Sequence, residues 1–151
     1  MVSISINATA PFPKMLPPTI SQSFLVAARG LMVGTQRLCA EPHQALLACA
    51  VVAAQTLECT LKAYLSFVGV TEKDLKFAFG HNLEALWLEA VKRGLNLQSN
   101  PPHWCVTLNS GHDKPYYFRY PIGLNGFVFP AIAPMAAELE AVLHSVESSV
   151  K

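Results

Sequence analysis

Apolar side chains recur along this chain at helical spacing more often than at strand spacing. The clearest case is the stretch Pro42–Gly69, where Leu47, Ala50, Ala54, Leu57, Leu61, Tyr64 and Val68 fall three or four residues apart. A second row, Leu46, Ala53 and Leu65, widens that stripe. A helix apolar over most of its circumference sits at the centre of its domain. Pro42 suits the first helical position, and Glu41 just ahead of it sets a negative charge at the positive end of the dipole. Gly69 is a natural stop, since glycine accepts the left-handed conformation past a helix end. Small residues crowd the first half (Ala45, Ala48, Cys49, Ala50, Ala53, Ala54), so neighbouring helices can approach closely.

Other stretches follow the same period. Thr19 to Leu38 predicts a helix capped by Thr19 or Ser21, with Phe24, Leu25, Ala28, Leu31, Met32 and Leu38 on its apolar face. Gly30 and Gly34 each cost about 1 kcal/mol relative to alanine; we read them as points of close packing. Residues 71–80 read as a polar connection with room for a short helix. The run from Gly80 to Gly94 predicts a helix that begins at His81 or Asn82, buries Leu83, Leu86, Trp87 and Ala90, and ends in Lys92 and Arg93. Ala131 to Val150 predicts the last helix, with Pro134 tolerated in its first turn.

Two regions break the pattern. Met1 to Pro18 alternates at first, like a short strand, and then carries four prolines. Leu95 to Pro130 is rich in proline, glycine and aromatic rings, and a long irregular segment in a compact domain is usually functional or wrapped on the core. Within it, Trp104–Leu108 reads as a helix start or a strand, and Tyr116–Tyr120 with Gly126–Phe129 as a small hairpin. The expected fold is therefore all-α: an up-and-down helical bundle of four to five helices, with a long aromatic and proline-rich irregular segment before the last helix. An arm over residues 1–18 precedes a single domain over 19–151.

Composition changes the picture only at the surface. Of 151 residues, 52% are hydrophobic and 14% charged, so a lightly charged exterior favours self-association, and a homodimer is expected. The net charge of +1 leaves no strong electrostatic footprint for duplex DNA. No uninterrupted apolar run reaches the roughly 18–20 residues that cross a bilayer, and no export signal is read in the proline-rich start. The four cysteines show no CxxC spacing, so a cytoplasmic protein with reduced, mostly buried thiols is expected.

Candidate chemistry is sparse. Glu58 and Lys62 are four apart in the favourable order for an ion pair, either on the surface or with Glu58 facing a cleft or a buried arginine. Arg119 lies among Tyr116, Tyr117, Phe118 and Tyr120. One reading makes it a structural partner of Glu58; the other makes it a phosphate- or carboxylate-binding arginine flanked by stacking rings. His81 reads as a capping and packing residue. His103, Cys105, His112 and Asp113 match no metal-ligand spacing, so no metal and no cofactor is expected. Neither a nucleophile elbow nor a glycine-rich phosphate loop is present, and no catalytic residue is identified.

Three segments together, AAQTLECTLKAYLSFVG, GHNLEALW and YYFRYP, give the region over roughly residues 40–150 a family likeness. It resembles the HEPN superfamily of small helical bundles, whose members often show a glutamate before a Leu-Lys-Ala step in the long helix. They also show a Gly-His-x-Leu opening to the next helix. Here these are Glu58 with Leu61-Lys62-Ala63, and Gly80-His81-Asn82-Leu83. The resemblance implies a nucleotide-, single-stranded-RNA- or protein-binding module, with Glu58, Lys62, His81, Tyr117, Arg119 and Tyr120 as ligand-binding candidates. Many members are metal-independent ribonucleases that pair an arginine with a histidine four to six residues later across a dimer. This chain departs from that: Asn125 stands where a histidine would follow Arg119, and asparagine transfers no proton at neutral pH. Arg37 and His43 have the literal spacing, but Pro42 interrupts the helix that would present them. A binding module is thus expected first, with an endoribonuclease or a protein scaffold as alternatives.

Overall fold

The structure, a computed structural model, describes residues 16–151. The short strand expected at the start, and most of the arm, lie outside the described residues. Six helices form the described chain, and no strand occurs among those residues. The all-α expectation is met with one or two more helices than anticipated.

Helix α1, Ile20–Ala40, starts at Thr19, whose hydroxyl accepts from the Gln22 amide while the Gln22 side chain accepts from the Thr19 amide. That reciprocal capping satisfies two otherwise orphaned donors. A single residue, Glu41, separates it from α2, Pro42–Phe67. The two run antiparallel: Ser21 Oγ donates to the Ala63 carbonyl, and the Thr35 and Thr56 hydroxyls meet at 3.0 Å. The close-packing role expected for the two glycines is not seen: a β-carbon at Gly34 would meet Val52 at an ordinary 3.6 Å, and nothing lies within 4 Å of one at Gly30. Pro42 occupies the first turn of α2 and Gly69 follows its end with φ 94°. The helix is kinked at Ala45, where φ is −140°.

From Cys49 onward α2 is the axis of the fold, and Leu57, Leu61 and Leu65 are wholly buried. Its length and apolarity would suffice to span a membrane, but more than half of that window is enclosed by protein here. Helix α6, Ile132–Ser149, packs against both α1 and α2 and buries Met135, Leu139, Val142, Leu143 and Val146. It runs antiparallel to α1, as the pairs Arg29–Glu147 and Gln36–Glu140 show.

On the other side of α2 lies a shorter set. One turn, α3 at Glu72–Asp74, widens into a π-helical turn over Leu75–Phe79 and ends at Gly80. Helix α4, Leu83–Lys92, is capped by Asn82, whose side chain accepts from the Ala85 amide at 2.8 Å. Helix α5, His103–His112, forms inside the stretch expected to be irregular. Trp104, Cys105 and Leu108 fall on its buried side and explain why: the apolar period is there, although the flanking prolines mask it. The expected hairpin is absent. Residues 116–119 instead make a tight turn, in which the Phe118 amide donates back to the Gly111 carbonyl. Gly111 is required at that contact, because a β-carbon there would run into the Phe118 ring.

One expectation about the thiols fails. Cys39 and Cys49 form a disulfide, with Cα atoms 5.7 Å apart. The tight α1–α2 turn brings the two together, which their ten-residue separation does not announce. Cys59 and Cys105 are free and buried.

Candidate functional site

Glu58 is the organising group. It projects from the middle of α2 and is only 4% exposed. A buried carboxylate must be paired and hydrogen-bonded to stay charged, and here three side chains do so. Lys62, one turn later, donates to Oε1 at 2.7 Å. His81 Nδ1 lies 2.9 Å from Oε2, and His112 Nε2 lies 2.6 Å from the same oxygen. Burial alone would push the Glu58 carboxyl up, but the bonds from His112, Lys62 and His81 outweigh it and hold the group at about 2. The carboxylate is therefore ionised at neutral pH and can only accept, so each imidazole donates an N–H to it. The proton in each contact therefore sits on Nδ1 of His81 and on Nε2 of His112.

Each partner is placed by local structure. His81 precedes the Asn82 cap, so the start of α4 aims it at α2. His112 ends α5. Asn109, one turn before it, accepts from the Leu83 amide at 2.7 Å and donates to Glu84 at 3.0 Å, tying the end of α5 to the start of α4. The two imidazoles meet edge-on at 5.6 Å, and the Tyr116 ring meets His81 edge-on at 5.8 Å. Tyr116 adopts φ 66°, a left-handed conformation that bulky residues rarely enter. The Arg119 guanidinium stands 5.9 Å from the Tyr116 ring centre.

His81 is 31% exposed, unlike His112, and it faces open space. A hollow of about 530 Å³ is lined by His81, Lys76, Phe77, Asp113, Lys114 and Tyr116. A second hollow, of about 270 Å³, is lined by His81 again with Phe24, Lys62, Glu72 and Lys76. The larger one has the size of a small-molecule site and two lysines against one aspartate on its wall.

Of the residues anticipated as binding candidates, the structure brings Glu58, Lys62 and His81 together in one cluster. Arg119 does not pair with Glu58; it is exposed and reaches the cluster only through Tyr116. The reason is topological, since Lys62 and two histidines already occupy both carboxylate oxygens. Tyr117 is half-buried and Tyr120 is 62% exposed, and neither lines the two hollows. His81 is more than a capping neighbour. The residues the sequence reading missed are His112 and Tyr116. For His112 a signal existed: Trp104, Leu108 and His112 are four apart, which puts His112 on the buried face of a helix.

Other reactive groups lie outside this chemistry. Burial, and secondarily Glu84, pushes the Cys105 thiol up to about 12, and burial raises Cys59 as well, so neither is a ready thiolate. Arg37 and His43 are exposed near the α1–α2 junction, on the far side of the Ala45 kink from Glu58.

Comparison of the chain with protein-family models, with curated proteins and with solved structures gives no match.

Proposed function

We propose that this protein is a HEPN-like binding module that takes a nucleotide, or the end of a single-stranded RNA, in the hollow beside His81. The observation that supports this reading most is the wall of that hollow. Lys76 and Lys114 offer donors to a phosphate, and Phe77 and Tyr116 offer faces to a base. A buried carboxylate that pairs with Lys62 and orients His81 would hold the His81 side of that wall in place before the ligand arrives. Binding rather than turnover is favoured because phosphodiester cleavage needs an acid and a base on the reacting atoms, while His112 is buried behind His81.

One observation favours an endoribonuclease as the second reading. Glu58 orients His81 through Nδ1 and leaves Nε2 free, the arrangement of a general base. A homodimer belongs to the proposal too, with Val26, Val33 and Leu47 as exposed apolar side chains on α1 and α2. A cytoplasmic setting is also part of it; there the Cys39–Cys49 pair would be held reduced.

The test is thermal unfolding of the purified chain against nucleoside monophosphates and short single-stranded RNAs. A ligand of the native state raises Tm in proportion to its occupancy. A dose-dependent rise, lost in a folded Lys114→Glu variant, is the expected result. Absence of any shift across the panel would overturn the nucleotide reading and leave a protein partner. RNA cleavage lost in His81→Gln would establish the enzyme instead.

A further inference from the structure

Glu58, His81 and His112 come from three separate elements and converge on one point. Oε2 of Glu58 and one ring nitrogen of each histidine all lie within 4.8 Å of one another. We propose that these three side chains form a binding site for a divalent first-row transition ion. Two imidazoles and one carboxylate are the donor set of zinc and of non-haem iron sites, which keep further positions open.

Geometry carries the argument. Ligand atoms around a tetrahedral zinc stand roughly 3.3 Å apart, given bonds of about 2.0–2.2 Å. The observed separations from Oε2 are 2.9 Å to His81 and 2.6 Å to His112, so these two must widen by less than about 1 Å. His81 can give that room, because its side chain is 31% exposed. The ion enters by the same exposed edge, beside the hollows that flank His81. Metal binding through Nδ1 of His81 and Nε2 of His112 places each neutral ring's proton on its other nitrogen. Around the three ligands the supporting contacts are already in place. Lys62 holds Oε1 at 2.7 Å and so leaves Oε2 to the ion. Asn109 fixes the end of α5 against the start of α4, which sets His112 and His81 relative to each other.

A purely structural polar cluster explains the inward-facing His112. It does not explain why a second, partly exposed imidazole crowds onto the same oxygen that His112 already satisfies. The inference stands apart from the nucleotide reading, and zinc alone is the probe.

The experiment is a calorimetric titration of chelator-stripped protein with Zn²⁺, with Co²⁺ absorption as a geometric readout. Reductant is left out, so that Cys39 and Cys49 stay joined and offer no thiolate. One ion per chain is expected. His81→Gln and His112→Gln should each weaken binding by at least about 100-fold, above the roughly 10–100-fold that loss of an outer partner costs. Circular dichroism checks the fold of both. If His112→Gln melts, His81→Gln decides the matter, since its site is partly open. Failure of either ion to bind stoichiometrically would overturn the proposal. So would binding that His81→Gln leaves unchanged, because the ion would then sit elsewhere.

Discussion

Glu58 Oε2 and His112 Nε2 stand 2.6 Å apart across 54 residues of chain, with both side chains 5% exposed. This contact closes the end of α5 onto the centre of α2. Removing the carboxylate leaves the Lys62 amine and both imidazoles without their shared acceptor. Breaking one side of a buried pair costs about 3–5 kcal/mol. Glu58→Ala is expected to lose that much in urea unfolding. Lys62→Met should lose clearly less, since both histidines still donate to the carboxylate. Equal losses would mean that the lysine, not the histidine pair, holds Glu58.

Acid should act through the same residue. The folded Glu58 carboxyl is held at about 2, below its ordinary 4.5. A depressed carboxyl contributes stability that is present above the unfolded value and is lost as pH falls toward the folded one. The window here is therefore pH 4.5 down to 2, with on the order of 3 kcal/mol involved. Unfolding free energies measured from pH 6 to 3 check this against Glu58→Gln/Lys62→Met, which removes the ion pair whole. A variant with the same acid slope as the parent would assign the loss to other carboxylates.

Arg119 should be dispensable for folding. Its guanidinium is exposed and touches the cluster only through the Tyr116 ring. An exposed cation–π contact contributes about 0.5–1 kcal/mol. Arg119→Ala is expected to shift Tm by only a few degrees. A severe loss of stability would show that the arginine is paired within the core.

Reducing the Cys39–Cys49 bridge frees a ten-residue separation. Loop-closure entropy for a ring of that size predicts a loss of roughly 2–3 kcal/mol. Urea midpoints with and without dithiothreitol measure it. An unchanged midpoint would show that the purified chain carries the two thiols reduced.

Gly111 and Phe118 form the last pair to test. A methyl at Gly111 would overlap the Phe118 ring, and overpacking of that kind costs about 1–3 kcal/mol. Gly111→Ala should be destabilised and should loosen the turn that carries Tyr116. Adding Phe118→Leu should recover part of the loss, and a strictly additive double variant would place the strain elsewhere.

Much of the fold is legible in local signals. The threonine cap before α1, Pro42 at the start of α2, Gly69 past its end and Asn82 before α4 each act within a few residues of where they stand. The apolar stripe of α2 anticipates the buried Ala50, Ala54, Leu57, Leu61 and Tyr64, although Leu47 on the same stripe stays exposed. Around α5, where prolines stand on both flanks, the local signal left Trp104–Leu108 open between a helix start and a strand, and the structure makes it a ten-residue helix. The pairing of Glu58 with Lys62 was legible too, because a separation of four residues places them on one helical face. Their burial was not.

What only the tertiary structure decided is which distant groups share that pocket. Arg119, surrounded by aromatic rings, was the natural partner for Glu58 on chemical grounds. His81 and His112 took the place instead, because Asn109 locks the end of α5 to the start of α4 and brings both imidazoles to the same oxygen. The disulfide arose the same way, from a tight turn that no cysteine spacing records. Helical period and capping are properties of neighbours along the chain, so the sequence by itself determined the long helices and most of their buried faces. A buried charge is satisfied by whatever packing brings within about 3 Å, so the contents of the site belong to the fold.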